Sequence, residues 1–276
     1  MYLLFFPNSD QHDLLKEEIK IKLPTLKLSF STPGMISMKS EKDIPIEKLQ
    51  RQNFIYTKRI GIFKEKLSAI NDLKKDEDFF EVKDNQFWLY QVISTKFDRL
   101  KAPSFKLPTE SPSRSWLKMK EAHHFFNLPL KNEERVVEIG CAPGGISLYL
   151  LSEGLLVYAI DPASMSDMLL QKYPDRFHHL KKSIFDIQKK DLPKDFEWII
   201  VDLNLKGDLS IQQALRISKM TSSLKGIFMT VKTPKIQDVK KIDMWKKSLR
   251  KLKNFKLYAF QLPSHHREVG FILTKV

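Results

Sequence analysis

A short glycine-containing loop between two apolar segments is the first candidate for a ligand site. The stretch "ERVVEIGCAPGGISLYLL" covers residues 134–151 and has the pattern of a strand, a loop and the start of a helix. It is not G-x-G-x-x-G, because position 142 is alanine, and no Gly-Lys-Ser/Thr of a P-loop follows. Pro143 removes a backbone donor, while the two glycines after it allow a ligand close to the backbone. The loop therefore favours a nucleotide-type ligand over a phosphate chain.

An acidic residue ends the next strand candidate and narrows the choice of ligand. Asp161 closes the segment "LLVYAID", 16 residues after Gly145. A carboxylate at this place can accept hydrogen bonds from both hydroxyls of a ribose. The loop and Asp161 together predict an adenosine ligand without a pyrophosphate, and S-adenosylmethionine fits that description. The alternative is an ordinary strand–turn–helix in which the aspartate caps a helix.

The elements that must position these residues alternate along residues 106–276. Strand patterns such as "RVVEIG", "EWIIVDL" and "GIFMTVK" are separated by helical patterns, which predicts a doubly wound, mostly parallel Rossmann-like α/β sheet. The last two strand patterns, "KLYAFQL" and "EVGFILTKV", are separated by too few residues for a helical crossover, so we expect an antiparallel last strand. Residues 235–252 have the apolar spacing of one amphipathic helix, whose stripe we expect in the core.

The mixture of strand and helix patterns in residues 1–105 predicts a separate, small α+β domain. Strand patterns at "MYLLFF", "LKLSFST", "GMISMK" and "NFIYTKRIGIF" mix with helical patterns over residues 10–23 and 64–75, and residues 79–92 predict a hairpin around Asp84-Asn85. The proline- and serine-containing stretch "KAPSFKLPTESPSR" is the best linker candidate. We therefore place the domain boundary near residue 105.

The charge of the chain is positive and unevenly distributed. Of the net charge of +14, residues 1–110 contribute 19 Lys and Arg against 16 Asp and Glu, and residues 111–276 contribute 28 against 17. Nucleic acid is the natural partner for such a field; an anionic membrane surface and simple solubility are the alternatives. One cysteine excludes an intrachain disulfide, and we expect no signal peptide, no membrane helix and a cytoplasmic setting.

"GCAPGG" followed by "AID" resembles the S-adenosylmethionine-dependent methyltransferases of Rossmann-like fold, and more narrowly the FtsJ-type RNA ribose 2′-O-methyltransferases. The resemblance implies that Asp161 holds the cofactor ribose. We expect Asp186 to accept the adenine amino group, although Ser183 lies nearer the family's register. The predicted cofactor-binding residues are Ser115, Gly140, Ala142, Pro143, Gly144, Gly145, Asp161, Asp186 and Asp202.

The FtsJ-type family uses a Lys-Asp-Lys-Glu tetrad, and four residues match it in order: Lys118, Asp202, Lys232 and Glu268. A ribose hydroxyl must lose its proton to attack a methyl group, and a lysine can accept that proton only in its neutral form. A second ammonium and a dry pocket both lower the pKa of a lysine. The resemblance therefore implies Lys232 as general base and Lys118 as the residue that tunes it and orients the substrate, with the two acids orienting the amines. No metal is required.

Other interpretations of these four residues remain open at this point. Each lysine can be a solvated surface charge, Glu268 can pair only with Arg267, and Asp202 can cap a helix. Two other acceptor classes are excluded by residue types. Cytosine-C5 methylation needs a nucleophilic cysteine after the fourth strand, and this chain has no cysteine beyond Cys141. Amino-group methylation uses a D/N-P-P-Y/F turn at the same place, where this chain has "VDLNLKG".

"LSFSTPGMISMK" and "VKTPK" further resemble the bacterial 23S rRNA cytidine 2′-O-methyltransferases of the RlmM type, in which a ferredoxin-like and THUMP region precedes the catalytic domain. This implies ribosomal RNA as substrate, with residues 1–105 as an RNA-binding accessory domain, ferredoxin-like or a reduced form of THUMP. A catalytically silent RNA-binding protein and a small-molecule methyltransferase are the alternatives. The basic residues Lys240, Lys241, Lys247 and Lys251 form either a solvated face or a track for RNA phosphates.

Overall fold

A computed structural model describes residues 1–8, 11–68, 78–83, 85–95 and 104–276. The chain folds into two compact units. The first consists of Met1–Pro103 with Lys235–Lys240, and the second consists of Ser104–Pro234 with Lys241–Val276. Within the described ranges, no helix is long and apolar enough to cross a bilayer.

The first unit is built on one antiparallel sheet of six strands. Its elements in chain order are β1 (Tyr2–Pro7), α1 (His12–Lys22), β2 (Lys27–Thr32), β3 (Met35–Lys39), α2 (Ile46–Arg51), β4 (Thr57–Leu67), β5 (Asp78–Lys83) and β6 (Gln86–Thr95). The strand order is β2-β3-β1-β4-β6-β5. In the first six elements β3 lies between β1 and β2 and is antiparallel to both, which is the split βαβ arrangement of ferredoxin-like folds. The hairpin β5–β6 extends that sheet.

The helix predicted over residues 64–75 is wrong in its first part. β4 continues to Leu67, which pairs with Phe87 of β6. The long ladder with β6 supplies backbone hydrogen bonds that the local helical spacing could not reveal. Residues 69–77 lie outside the described residues, as does Asp84 of the predicted hairpin turn. Asn85, beside it, has a φ of 58°, which turns the chain from β5 into β6.

The second unit is a mostly parallel α/β sheet, as predicted, and it has seven strands. From α3 to the end of the chain the elements are α3 (Ser115–Phe126), β7 (Arg135–Ile139), α4 (Gly145–Ser152), β8 (Leu156–Ile160), α5 (Asp167–Lys172), β9 (Phe177–Leu180), β10 (Trp198–Val201), α6 (Gly207–Ser218), β11 (Gly226–Lys232), α7 (Ile236–Val239), α8 (Ile242–Leu249), β12 (Phe255–Phe260) and β13 (Glu268–Lys275). The strand order is β12-β13-β11-β10-β7-β8-β9. β13 is antiparallel to both neighbours, which confirms the antiparallel last strand. The strand order reverses between β7 and β10, where open α/β sheets bind ligands.

The helix predicted over residues 235–252 is interrupted. The structure has the short helix α7 and then α8, separated by Lys240 and Lys241. The break coincides with the point where the chain passes from the first unit to the second. Ile236 is accordingly 40% exposed rather than buried, while Trp245 of α8 is buried as expected.

β9 was not predicted from the sequence. It has only four residues, and its pattern "FHHL" contains two histidines and no alternation of apolar and polar residues. It is nevertheless paired in parallel with β8, from Val157↔Phe177 to Ile160↔Leu180. A strand this short is fixed by its neighbour in the sheet more than by its own residues.

Candidate active site

The glycine loop leaves β7 at the point where the strand order reverses. Gly140 has a φ of +79° and Gly144 a φ of +115°, and the Ala142–Pro143 bond is cis. A Cβ atom at Gly140 would lie 2.8 Å from the backbone oxygen of Asp202, so a side chain there would separate the loop from the end of β10. The loop backbone and the start of the segment after β10 are therefore in direct contact.

The start of α3 packs against the same loop. A Cβ atom at Gly145 would lie 2.2 Å from Ser113 Oγ and 2.5 Å from Ser115 Oγ. These two hydroxyls are 2.7 Å apart and share a hydrogen bond. The structure thus places Ser115, one of the predicted cofactor residues, beside the first residue of α4. Only glycine at position 145 permits this contact.

Asp161 follows β8 and is held in a fixed orientation. Its Oδ2 accepts a hydrogen bond from Ala142 N at 3.1 Å, and its Oδ1 accepts one from Ala163 N at 2.9 Å. The loop and the predicted ribose-binding carboxylate are therefore tied to each other by the backbone. A carboxylate has about four acceptor positions, so these two bonds leave capacity for the hydroxyls of a sugar.

A cleft lies beside these residues. It is lined by Gly140, Ala142, Ile160, Asp161, Pro162, Ser183, Ile184, Phe185, Asp202, Leu203, Asn204 and Leu205. Apolar side chains suit the faces of a purine, and Asp161 suits a ribose, so the lining fits an adenosine-containing ligand. Asp186 is not among the lining residues, whereas the three residues before it are, and its side chain is exposed.

The four tetrad residues lie together, at the cleft residue Asp202. Lys118 Nζ is 2.9 and 3.0 Å from the two carboxylate oxygens of Asp202 and 3.0 Å from Glu268 Oε1. Lys232 Nζ is 2.6 Å from Glu268 Oε2. Lys232 and Glu268 are directly opposite each other on β11 and β13. The fully buried Glu268 thus accepts hydrogen bonds from both lysines.

The two lysines differ in exposure and in partners. The side chain of Lys118 is 12% exposed and pairs with two carboxylates, whereas that of Lys232 is 34% exposed and pairs with Glu268. Burial favours the neutral form of Lys118, but the charges of Asp202 and Glu268 outweigh it and raise the pKa of Lys118. Lys118 is therefore charged at neutral pH, and Lys232 is the more exposed of the two lysines.

The charge of Glu268 is also fixed by its neighbours. Burial opposes the carboxylate, but His265, Lys118 and Lys232 favour it, and the pKa of Glu268 is lowered to about 2. Glu268 is therefore ionised at neutral pH and holds both lysines. This arrangement gives Lys232 a defined position while leaving about a third of its side chain exposed.

Three residues that support the site were missed in the sequence. Thr230 donates a hydrogen bond from its hydroxyl to Asp202 Oδ1. Glu138, inside β7, accepts a hydrogen bond from Ser147 Oγ at 2.6 Å, and burial raises the pKa of Glu138 to about 8. His265 is buried beside Glu268. The available signals were a charged residue within the apolar run "VVEI" and a threonine two residues before Lys232 on the same side of β11.

Cys141, inside the loop, is unsuited to act as a nucleophile. It is buried, and burial raises the pKa of its thiol far above neutrality. A thiolate is therefore not formed at physiological pH.

More than half of the chain resembles a known protein family. A model of the FtsJ-like methyltransferase family matches residues 112–269. Relatives named ribosomal RNA large subunit methyltransferase M include one from Chromohalobacter salexigens, 35% identical over 108 residues, which are 37% of this chain and 29% of the relative. Another, from Actinobacillus pleuropneumoniae, is 32% identical over 124 residues, 43% of this chain and 32% of the relative. The chain thus matches about a third of the length of these relatives.

Proposed function

The chain belongs to the FtsJ-like methyltransferase family, and we propose that it transfers a methyl group from S-adenosylmethionine to a ribose 2′-hydroxyl of 23S ribosomal RNA. The observation that carries this proposal is the arrangement of Lys118, Asp202, Lys232 and Glu268 beside the cleft. Two lysines joined through one buried carboxylate form a site for moving a proton, rather than a set of independent surface charges.

The cofactor end of the site is assigned to the glycine loop and the residues around it. Asp161 would accept hydrogen bonds from the ribose hydroxyls, and the backbone of Gly140 and Ala142 would lie against the ligand. Ser183 and Phe185 line the place that we assign to the adenine. When bound, S-adenosylmethionine supplies a methyl group on a positively charged sulfur, which is transferred without a metal.

The acceptor end provides the base. Lys232 Nζ would accept the proton of the 2′-hydroxyl while the bond from that oxygen to the methyl carbon forms and the bond from carbon to sulfur breaks. Glu268 fixes the position of Lys232, and Lys118 holds Asp202 and Glu268 in place as the standing positive charge. Asp202 belongs to both ends, since it lines the cleft and binds Lys118.

RNA is supported as the substrate by charge and by the relatives. Residues 111–276 carry the larger positive excess, which favours a polyanion over a small neutral acceptor. The matched relatives are named as methyltransferases of large-subunit ribosomal RNA. We assign residues 1–105 as an accessory domain that helps to hold the RNA, with residues 106–276 as the catalytic domain.

Methylation mapping tests this proposal. The purified chain is incubated with S-adenosylmethionine and unmodified 23S rRNA, and methylated ribose is located by mass spectrometry. We expect one 2′-O-methylated nucleotide with the wild type and none with Lys232→Ala. A methylated base would refute the choice of acceptor. S-adenosylmethionine binding without transfer to any RNA would favour the catalytically silent RNA-binding protein.

A further inference from the structure

The two faces of the sheet in the first unit are used differently. Phe5 of β1 packs edge-to-face on Phe54, with ring centroids 5.4 Å apart, and Lys22 of α1 lies 4.9 Å from the centre of the Phe54 ring. The Phe5 face therefore lies on the side of α1. Because side chains alternate along a strand, Tyr2 and Leu4 point to the opposite face.

On that opposite face, the sheet curls until distant strands meet. Phe30 of β2 and Trp88 of β6 have ring centroids 5.3 Å apart, although three strands lie between β2 and β6 in the sheet. Four strand spacings in a flat sheet would separate them by about 19 Å. The curled sheet has its own core, in which Leu4 and Tyr90 are buried. One end of this core opens as a cleft.

The cleft is aromatic and basic. It is lined by Tyr2, Ser29, Phe63, Lys66 and Trp88, which we call the aromatic cleft. Trp88 and Phe63 are half-buried with centroids 5.2 Å apart, and Tyr2, 39% exposed, stands 6.2 Å from Phe63. The Nζ of Lys66 lies 5.3 Å from the centre of the Trp88 ring, and its residue is exposed. The rings are thus held by packing, while part of Tyr2, part of Trp88 and the cation of Lys66 remain exposed.

A second lysine extends the positive rim. Lys39 of β3 is directly opposite Tyr2 in the β1–β3 ladder, and it is exposed. Residues that are directly opposite in an antiparallel pair point to the same face of the sheet, so Lys39 and Tyr2 share the face of the aromatic cleft. Aromatic rings that offer a stacking surface, flanked by lysines, are what single-stranded nucleic acid requires, because bases stack and phosphates pair with cations.

We propose that the aromatic cleft binds an unstacked base of single-stranded RNA, with Lys66 and Lys39 contacting the adjacent phosphates. This rests on the proposed function only in taking RNA as the substrate. The base would stack on the exposed parts of Tyr2 and Trp88. The cleft lies in the unit without the tetrad, so it would contribute affinity and position for the RNA rather than chemistry.

Binding of a labelled 12-nucleotide single-stranded RNA to the full chain, measured by fluorescence anisotropy, tests the cleft. We expect Lys66→Glu and Tyr2→Ser each to weaken binding about five- to tenfold. Lys20→Glu, an equal charge change at an exposed position of α1, should have less than half that effect. Lys66 and Tyr2 are exposed, so both variants should fold, and circular dichroism checks this. Trp88→Leu is a stronger test, provided that circular dichroism shows an intact fold. Ultraviolet crosslinks should map to peptides containing Tyr2 or Trp88.

Methylation kinetics separate this proposal from the proposed function. If both are right, Lys66→Glu raises the KM for RNA and leaves the rate at saturating RNA unchanged. A second result is that the chain methylates no RNA while the variants still bind RNA more weakly than the wild type. That result would refute the proposed function but support the aromatic cleft as an RNA-binding site. Unchanged RNA affinity in Lys66→Glu and Tyr2→Ser, or crosslinks confined to residues 104–276, would overturn the proposal that the aromatic cleft binds RNA.

Discussion

The cofactor end of the candidate active site is shaped by backbone, whereas the acceptor end is shaped by side chains from separate elements. At the cofactor end, positive φ angles at Gly140 and Gly144 and two amide donors to Asp161 define the cleft. At the acceptor end, buried Glu268 holds two lysines. A backbone-shaped end tolerates little change of shape, while a side-chain end depends on charge. Substitutions at the two ends should therefore affect different measured quantities.

Lys232→Ala should show the largest difference between the loss of methyl transfer and the loss of cofactor binding. Removal of a general base lowers a rate by roughly 10²- to 10⁴-fold, so we expect about a 10³-fold loss of methyl transfer at saturating substrates. Binding of S-adenosylmethionine should stay within twofold, because Lys232 is not among the residues that line the cleft. Single-turnover transfer and isothermal titration calorimetry measure the two quantities.

Lys194→Ala is the matched control for this substitution, since Lys194 is exposed in the same unit. It should retain the rate of the wild type. If the rate of Lys232→Ala is within tenfold of the wild-type rate, Lys232 is not the general base. If cofactor binding falls by as much as the rate does, the two ends do not act separately.

The acceptor end should also carry an acid sensitivity, through His265. Burial lowers the pKa of His265 from 6.5 to about 4. His265 accepts a hydrogen bond from Leu262 N at its Nδ1, and Glu268, Lys118, Asp202 and Lys232 are the charged groups that act on it. Between pH 6.5 and 4 the unfolded state binds a proton that the folded state does not. The contribution of His265 to stability is therefore complete above pH 6.5 and is lost as the pH falls toward 4.

Replacement of His265 by Asn keeps an acceptor near the Nδ1 position and removes the titration. We expect the wild type to lose about 2 kcal/mol more of its free energy of unfolding between pH 7 and pH 5 than His265→Asn does. His266→Asn is the control, because His266 is exposed. Urea denaturation at the two pH values measures the difference. Equal pH dependence in the wild type and His265→Asn would show that folding does not shift the pKa of His265.

The contrast between the two ends also explains what the sequence could predict. The cofactor end is contiguous: the loop and Asp161 fall within residues 140–161, and their pattern alone predicted an adenosine ligand. The acceptor end joins residues as far apart as Lys118 and Glu268, 150 positions along the chain. Only the family resemblance grouped the four tetrad residues. The contact between Lys232 and Glu268, for example, depends on the pairing of β11 with β13, which no local pattern predicts.

The errors in the predicted elements have the same origin. Residues 64–67 have helical spacing but belong to β4, because β6 pairs with them. The amphipathic stripe of residues 235–252 is divided at the passage between two units. His265 and Glu138 were not recognised as supporting residues because burial, which sets their pKa values, is a property of the assembled fold. Local periodicity thus located the elements, and non-local packing decided their limits.

A loss confined to the cofactor end is expected from Asp161→Asn. The variant keeps the size of the side chain but loses the charge that strengthens hydrogen bonds to a ribose, and such bonds contribute about 1.5–3 kcal/mol. It also replaces one of the two oxygens that accept hydrogen bonds from Ala142 N and Ala163 N with an amide donor. We expect S-adenosylmethionine to bind at least about tenfold more weakly, with RNA affinity unchanged. Asp175→Asn, an exposed carboxylate in the same unit, is the control. Asp186→Asn belongs in the same titration: a loss there equal to that of Asp161→Asn would support its predicted contact with adenine.

The smallest effect is expected where the two ends meet, at Asp202. Thr230→Val is nearly isosteric and removes the hydrogen bond that Thr230 donates to Asp202 Oδ1. Lys118 Nζ still donates hydrogen bonds to both carboxylate oxygens of Asp202, so Asp202 should shift rather than leave the site. A hydrogen bond to a carboxylate contributes about 1.5–3 kcal/mol. Because Lys118 keeps Asp202 in the site, we expect only about 1 kcal/mol of this to be lost from the transition state, which predicts about a fivefold lower rate. Thr230→Ser, which keeps the hydroxyl, should restore the rate. A loss in Thr230→Val that Ser does not restore would assign the effect to packing in β11 and not to the orientation of Asp202.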